Sequence, residues 1–285
     1  MSPQSFPAPA KLNLMLRIVG RRTDGYHLLQ TVFRFIDYGD EVRIAVRHDG
    51  EIRRVKDLPG VAADDDLTVR AARLLKSTTG TSLGADIELS KRLPLGAGLG
   101  GGSSDAATVL LALNRLWGTG LSRSELQGLG VTLGADVPVF VFGESALGEG
   151  IGEILEPIAL PPAWYLVLTP QVQVATGRIF SDPGLKRDSK RTKIQGFSAD
   201  SFTADGANVT NDMQPLVCRH YPEVARHLEW LRQHGPAVMT GSGAAVFASF
   251  GSEHAARAVL AQVPQTMSGF IARGLDRHPL WDLAQ

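Results

Sequence analysis

"LPLGAGLGGGSSDAATVLLALNRLW", residues 93–117, sets five glycines in its first ten positions, directly before a strongly helical run. Glycine contributes no packing and costs backbone entropy, so a cluster marks a place where something approaches the main chain closely. Ala106, Val109, Leu110, Leu113, Leu116 and Trp117 then recur at helical spacing and predict a buried stripe. Ser103, Ser104 and Asp105 are good capping residues, which puts the predicted helix start there, with its free N–H groups facing the loop and Asp105 serving the first turn. Amides uncovered by glycine, backed by the positive end of a helix, form an anion cradle whose natural guest is phosphate. A Walker A loop is excluded, because the glycines end in Ser103-Ser104 and no Gly-Lys-Ser/Thr follows. Gly96, Gly98 and Gly101 fit G-x-G-x-x-G, but that fingerprint opens a dinucleotide domain and this one follows a long stretch of other structure. Valine at Gly101 is expected to occupy space the phosphates need.

Toward the N-terminus, "KLNLMLRIVG" (11–20) alternates. Leu12, Leu14, Leu16 and Ile18 point one way, and Lys11, Asn13, Met15 and Arg17 point the other. A strand that buries the leucines therefore presents Lys11 and Asn13 together. "HLLQTVFRFI", "DEVRIAV" and "ADIELSKRL" read as further strands, and "LTVRAARLLKSTTG" as a helix capped by Gly80. Toward the C-terminus, Ser122 and Glu125 have capping-box spacing, and "GADVPVFVFG" leads into apolar extended chain. The prolines of "EPIALPPAW" (156–164) mark the predicted junction between domains at 1–158 and 159–285. Beyond it, "WYLVLTP" is a strand, "YPEVARHLEWLRQHG" an amphipathic helix, "PAVMTGSGAAVFASFGS" a strand-loop-strand and "SEHAARAVLAQV" a helix. Interleaved strands and helices argue α/β or α+β.

The 285 residues carry no net formal charge, which gives no general attraction to nucleic acid or anionic membrane. The basic stretch 186–193 lacks interleaved aromatics and reads as a solvated loop. Cys218 is the one cysteine, so no internal disulfide or cysteine metal cluster forms. No apolar run reaches the length of a membrane span, and the N-terminus lacks the pattern of a signal peptide. A cytoplasmic protein is expected, and the Asn208 sequon carries no meaning there.

The glycine stretch resembles the ATP loop of the small-molecule kinases named for galactose, homoserine, mevalonate and phosphomevalonate. "PAPAKLNLMLRIVGRRTDGYHLLQTVFRFIDYGD", "GADVPVF" and "MTGSGAAVFASF" extend the likeness over nearly the whole chain, in order, to the branch acting on a cytidine diphosphate substrate. The resemblance implies two α+β domains, the first ribosomal protein S5 domain 2-like and the second ferredoxin-like. It implies ATP held by Lys91, Pro94, Leu95, Gly96, Ala97, Gly98, Leu99, Gly100, Gly101, Gly102, Ser103 and Ser104. ATP would bring Mg²⁺, with Ser104 or another hydroxyl assisting, and no permanent metal site is expected. Asp136 aligns with the catalytic aspartate and Lys11 with the catalytic lysine. Asn13 serves the substrate, Tyr26 stacks on the cytosine, His27 hydrogen-bonds it and Phe180 closes its other side. One departure is Asp66, where the family has asparagine near the adenine. No obligate protein partner, nucleic acid or membrane is implied. Two alternatives remain at this stage: another kinase of the superfamily, or an ATP and metabolite sensor of the same fold without turnover.

Overall fold

A computed structural model of the chain describes residues 2–191 and 210–284. Two long strands, β1 (Gln4–Arg21) and β2 (His27–Arg47), pair antiparallel and form the spine. The segments "HLLQTVFRFI" and "DEVRIAV", expected as separate strands, are one continuous β2. The register of the pair shifts at Pro9/Ala10, Asn13/Met15 and Ile18/Gly20. Such irregularities bend a strand and re-aim its side chains. They do so here on both sides of Lys11 and Asn13.

The rest of the first half comprises β3 (Ile52–Arg54), α1 (Leu67–Thr79), β4 (Gly84–Ser90), α2 (Gly101–Leu116), α3 (Arg123–Leu133), α4 (Val137–Phe142), β5 (Ala146–Glu149) and β6 (Ile154–Pro157). The second half comprises β7 (Trp164–Leu168), α5 (Thr176–Ser181), α6 (Gln214–His220), α7 (Pro222–Arg232), β8 (Ala237–Met239), β9 (Val246–Phe250), α8 (Glu253–Leu260) and β10 (Gly269–Leu275). Among the described residues these ten strands form one sheet, with order β3-β4-β2-β10-β7-β9-β8 and with β1, β5 and β6 branching from β2 and from each other. The α+β expectation holds. The two halves join where Gly274 and Leu275 of β10 pair with Ile36 and Phe35 of β2.

Local chemistry explains most element ends. Gly80 closes α1 at φ 68°, its N–H reaching Lys76 O at 2.9 Å. Ser122 and Glu125 form the expected reciprocal capping box on α3. "VPVFVF", expected as extended, is the helix α4: Pro138 sits in its first turn, Gly143 (φ 78°) ends it, and its apolar side chains enter the first core. Burial from both α2 and α3 outweighs the strand preference of valine and phenylalanine.

Asp66, where the resemblance led to an expected asparagine, has a clear local task. It caps α1, its Oδ1 accepting from Thr68 N at 2.9 Å and Thr68 Oγ1 at 2.7 Å, while Oδ2 meets Arg54 at 3.4 Å. Asp66→Ala removes both the cap and the Arg54 partner and should lower stability by about 2 kcal/mol, whereas Asp66→Asn keeps the cap acceptor, loses only the ion pair and should cost about 1 kcal/mol. Denaturant midpoints of the two variants check this, and equal losses would contradict the capping role.

The last residues return to the first half. Leu280 and Ala284 pack in its core, His278 N donates to Gly143 O at 2.8 Å, and Trp281 lies over Arg123 at 4.0 Å. Arg123 also donates to Val141 O at 2.7 Å, tying this segment to the end of α4. The basic stretch 186–193 is described only as far as 191, and the Asn208 sequon lies outside the described residues.

Candidate active site

The glycine loop is built by alternation. Gly96, Gly98 and Gly100 have φ of 68°, 77° and 73°, while the intervening Ala97 and Leu99 have negative φ and bury their side chains in the central core. Alternating φ sign turns successive amides toward a common point, the geometry of an anion nest. The glycines at left-handed positions are thus 96, 98 and 100, and not the 96, 98, 101 set of the dinucleotide fingerprint. A Cβ at Gly98 would run into the carbonyl of Thr240, and one at Gly100 into Phe140 and Lys11. Pro94, Leu95, Gly96 and Gly102 are exposed around the nest. Such a loop, continuing straight into the α2 N-terminus, fits a polyphosphate.

Several expected details are corrected. The helix begins at Gly101, two residues before the predicted serines, with Gly100 as N-cap. Ser104 therefore sits wholly inside: it is fully buried, its N–H bonds Gly100 O at 2.8 Å and its hydroxyl donates to Pro9 O at 2.7 Å. That hydroxyl is committed to anchoring α2 on β1, and Ser103 is the serine that reaches the cleft. Asp105 caps nothing. It is buried and meets Lys91 Nζ at 2.9 Å, while Asp40 holds the other side of that ammonium. Burial pushes the Asp105 carboxyl up to about 7 against the pull of Lys91. Burial also opposes the Lys91 charge, yet Asp105 and Asp40 together keep its pKa above the ordinary value. Lys91, expected at ATP, is also braced by these two carboxylates as a strut beneath the loop. A side chain at Gly101 would meet this strut, 3.1 Å from Lys91 Nζ.

Lys11 is expected on a polar strand face, and the structure buries that face at the base of a cleft. Its ammonium is 2 % exposed and lies 3.1 Å from Asp136 Oδ2, 2.5 Å from Asn13 Oδ1 and 3.2 Å from Gly98 O. Asn13 is oriented by Thr31, whose Oγ1 accepts from Nδ2 at 2.8 Å and donates to Met15 O at 2.6 Å. Thr240, from the second glycine loop, accepts from Asn13 N at 2.9 Å. Asp136 occupies the N-cap position of α4, but its carboxylate makes no capping bond and is free to face Lys11. One cleft of about 560 Å³ brings together Lys11, Asn13, Ser103 and Asp136 at one end and Tyr26, His27 and Phe180 at the other.

At that far end the His27 and Phe180 rings stack with centroids 4.8 Å apart, and Tyr26 is 60 % exposed at the rim. Burial, with Arg187 and Arg21 close by, holds the His27 pKa below the usual histidine value. Sequence reasoning missed the wall between the ends, where Thr176 and Ser242 share a hydrogen bond of 2.7 Å, and it missed Thr240 and Arg187. "MTGSG" pointed to a glycine loop, but nothing local in it signals that Thr240 reaches across to β1.

The chain matches the GHMP kinases N terminal domain over residues 66–144 and the GHMP kinases C terminal domain over residues 199–269. It is 61 % identical over 279 residues to the 4-diphosphocytidyl-2-C-methyl-D-erythritol kinase of Thiobacillus denitrificans, covering 98 % of each chain. The chain belongs to the 4-diphosphocytidyl-2-C-methyl-D-erythritol kinase family. The kinase of that name from Nitrosospira multiformis is 59 % identical, with 99 % of this chain and 94 % of the relative aligned. A crystal structure of 4-(cytidine 5'-diphospho)-2C-methyl-D-erythritol kinase superposes with a TM-score of 0.82 at 32 % identity, covering 95 % of this chain and 99 % of that one. A homoserine kinase from Cytophaga hutchinsonii shares the fold at TM-score 0.69 and 17 % identity, covering 98 % and 96 %. As a member of this kinase family the chain is an ATP-dependent small-molecule phosphotransferase with the two-domain α+β architecture.

Proposed function

We propose that this cleft transfers the γ-phosphoryl group of ATP to the 2-hydroxyl of 4-diphosphocytidyl-2-C-methyl-D-erythritol, a step of the non-mevalonate route to isoprenoid precursors. The observation that carries the reading is the Lys11–Asp136 pair, 3.1 Å apart, at the meeting point of the phosphate nest and a cleft that ends in aromatic rings. The substrate's cytosine would lie among Tyr26, His27 and Phe180. Its methylerythritol end would then reach Asn13 and the ion pair. Asp136 accepts the hydroxyl proton as the oxygen attacks phosphorus, the new O–P bond forms, and the bond to the β-phosphate oxygen breaks, leaving the electron pair on ADP. Lys11 faces the same point with a fixed positive charge, which lowers the cost of the charge building on the transferred group. A tertiary hydroxyl is crowded and hardly acidic, so positioning supplies much of the acceleration.

ATP fits the nest around Gly96–Gly100 and the amides of Gly101–Ser103. Mg²⁺ would arrive on the ATP phosphates; among the described residues no cluster of three or more histidines, cysteines and acids is suited to a resident metal. The domain boundary falls at 158/159 in this reading, within the proline-rich connection. The cytoplasmic location belongs with it too, and among the described residues no helix is long and apolar enough to cross a membrane.

ADP release by the purified protein tests the activity. ADP should appear with the cytidyl substrate and not with mevalonate or homoserine, and CDP should compete for the acceptor. Tight ATP binding with no ADP release would instead favour a sensor. Turnover of mevalonate without CDP competition would favour a different kinase.

A further inference from the structure

One side chain next to the far end of the cleft is set to control what that end accepts. Arg187 Nε donates to His27 Nε2 at 3.0 Å. A guanidinium has five donors and no acceptor, and it keeps its charge throughout the ordinary pH range. His27 Nε2 must therefore present a lone pair. The other arms of Arg187 are fixed by backbone carbonyls: Leu185 O at 3.0 Å, Phe180 O at 3.0 Å and Asp182 O at 2.8 Å. The same guanidinium thus holds both members of the His27–Phe180 stack. Among the described residues no group bonds His27 Nδ1.

We propose that Arg187 is a specificity-determining positioning residue, which fixes His27 as the neutral Nδ1–H tautomer so that the ring offers the bound base a donor and selects cytosine over uracil. The inference deepens the proposed function and rests on its reading of this end as the cytosine seat. Cytosine presents an acceptor at N3, beside the O2 acceptor. Uracil presents an N–H at N3, which would meet the Nδ1–H hydrogen to hydrogen. Leaving a buried donor unmatched costs on the order of 1–3 kcal/mol, which is tenfold or more in affinity. Burial and the two nearby arginines disfavour the imidazolium, so the ring stays neutral.

Two measurements test this on the full-length protein. In competition binding, CDP should outcompete UDP by about tenfold or more in the wild type. In Arg187→Met the ring is released to the Nε2–H tautomer, whose Nδ1 lone pair accepts from uracil N3–H. The CDP:UDP ratio should then fall to within about threefold, with UDP gaining affinity in absolute terms, which general damage to the site would not produce. Arg187→Lys, another donor without an acceptor, should restore the preference. Independently, nitrogen NMR of the ligand-free wild type should show His27 protonated on Nδ1, and this measurement and the lysine variant decide the matter if the methionine variant does not fold. An Nε2–H wild-type tautomer, or an unchanged CDP:UDP ratio in Arg187→Met, would overturn the proposal. Binding of neither nucleotide at millimolar concentration would instead overturn the cytosine reading, while the NMR result would still report on the Arg187–His27 bond.

Discussion

Asp136→Asn should cut turnover about 10³-fold while ATP and acceptor affinities stay within about threefold. The size follows from what the carboxylate is asked to do. Positioned general bases contribute between about 10² and 10⁴, and an unactivated tertiary alcohol places the demand toward the upper part. Asparagine keeps the shape and loses only the charge and basicity. The Asp136 side chain makes no capping bond, so the start of α4 does not depend on it, and Lys11, though it loses its counter-charge, keeps Asn13 Oδ1 and Gly98 O as acceptors. Single-turnover measurement of ADP formation separates the chemical step from binding. Wild-type rates in this variant would remove Asp136 from the mechanism.

Lys11→Met should lower both stability and activity. The ammonium touches three oxygens, and its removal leaves Asn13 Oδ1 and Gly98 O with only the long contacts of Thr240 Oγ1, at 3.5 and 3.4 Å, and Asp136 without its counter-charge. Breaking a fully buried pair costs about 3–5 kcal/mol. Asp136 is a third exposed and water can reach it, so about 2 kcal/mol is the better figure here. Turnover should fall by about 10² or more, from the loss of a fixed positive charge at the transferred group. Lys11→Arg should not restore it, because a planar fork cannot fill the place of a compact ammonium among three converging oxygens. Chemical denaturation and turnover measured on the same preparations check both parts. A variant that is destabilised but fully active would leave Lys11 a purely structural role.

Much of this architecture could be read from the chain. The caps of α1 and α3, the apolar stripe of α2 and the alternation that pairs Lys11 with Asn13 are local effects, and local chemistry is written in neighbouring residues. What escaped was set by distant ones. "VPVFVF" has the composition of a strand and became helical because α2 and α3 bury it. Asp105 looked like a first-turn cap, but its partner Lys91 is 14 positions away and Asp40 lies further back in β2. Ser104 looked like a phosphate ligand until the helix began early and turned its hydroxyl toward Pro9. Arg187 lies 160 positions from His27, in a stretch whose composition signals only a basic loop.

The uneven exposure of the central ion pair governs how the enzyme resets. Lys11 is sealed at 2 % exposure, while its partner carboxylate keeps 34 % of its surface open. In the proposed mechanism, a proton taken up by Asp136 leaves through that open side into the surrounding water, with no relay of hydroxyls or imidazoles needed to carry it out. Recharging the base between cycles is then a matter of simple exchange with the medium.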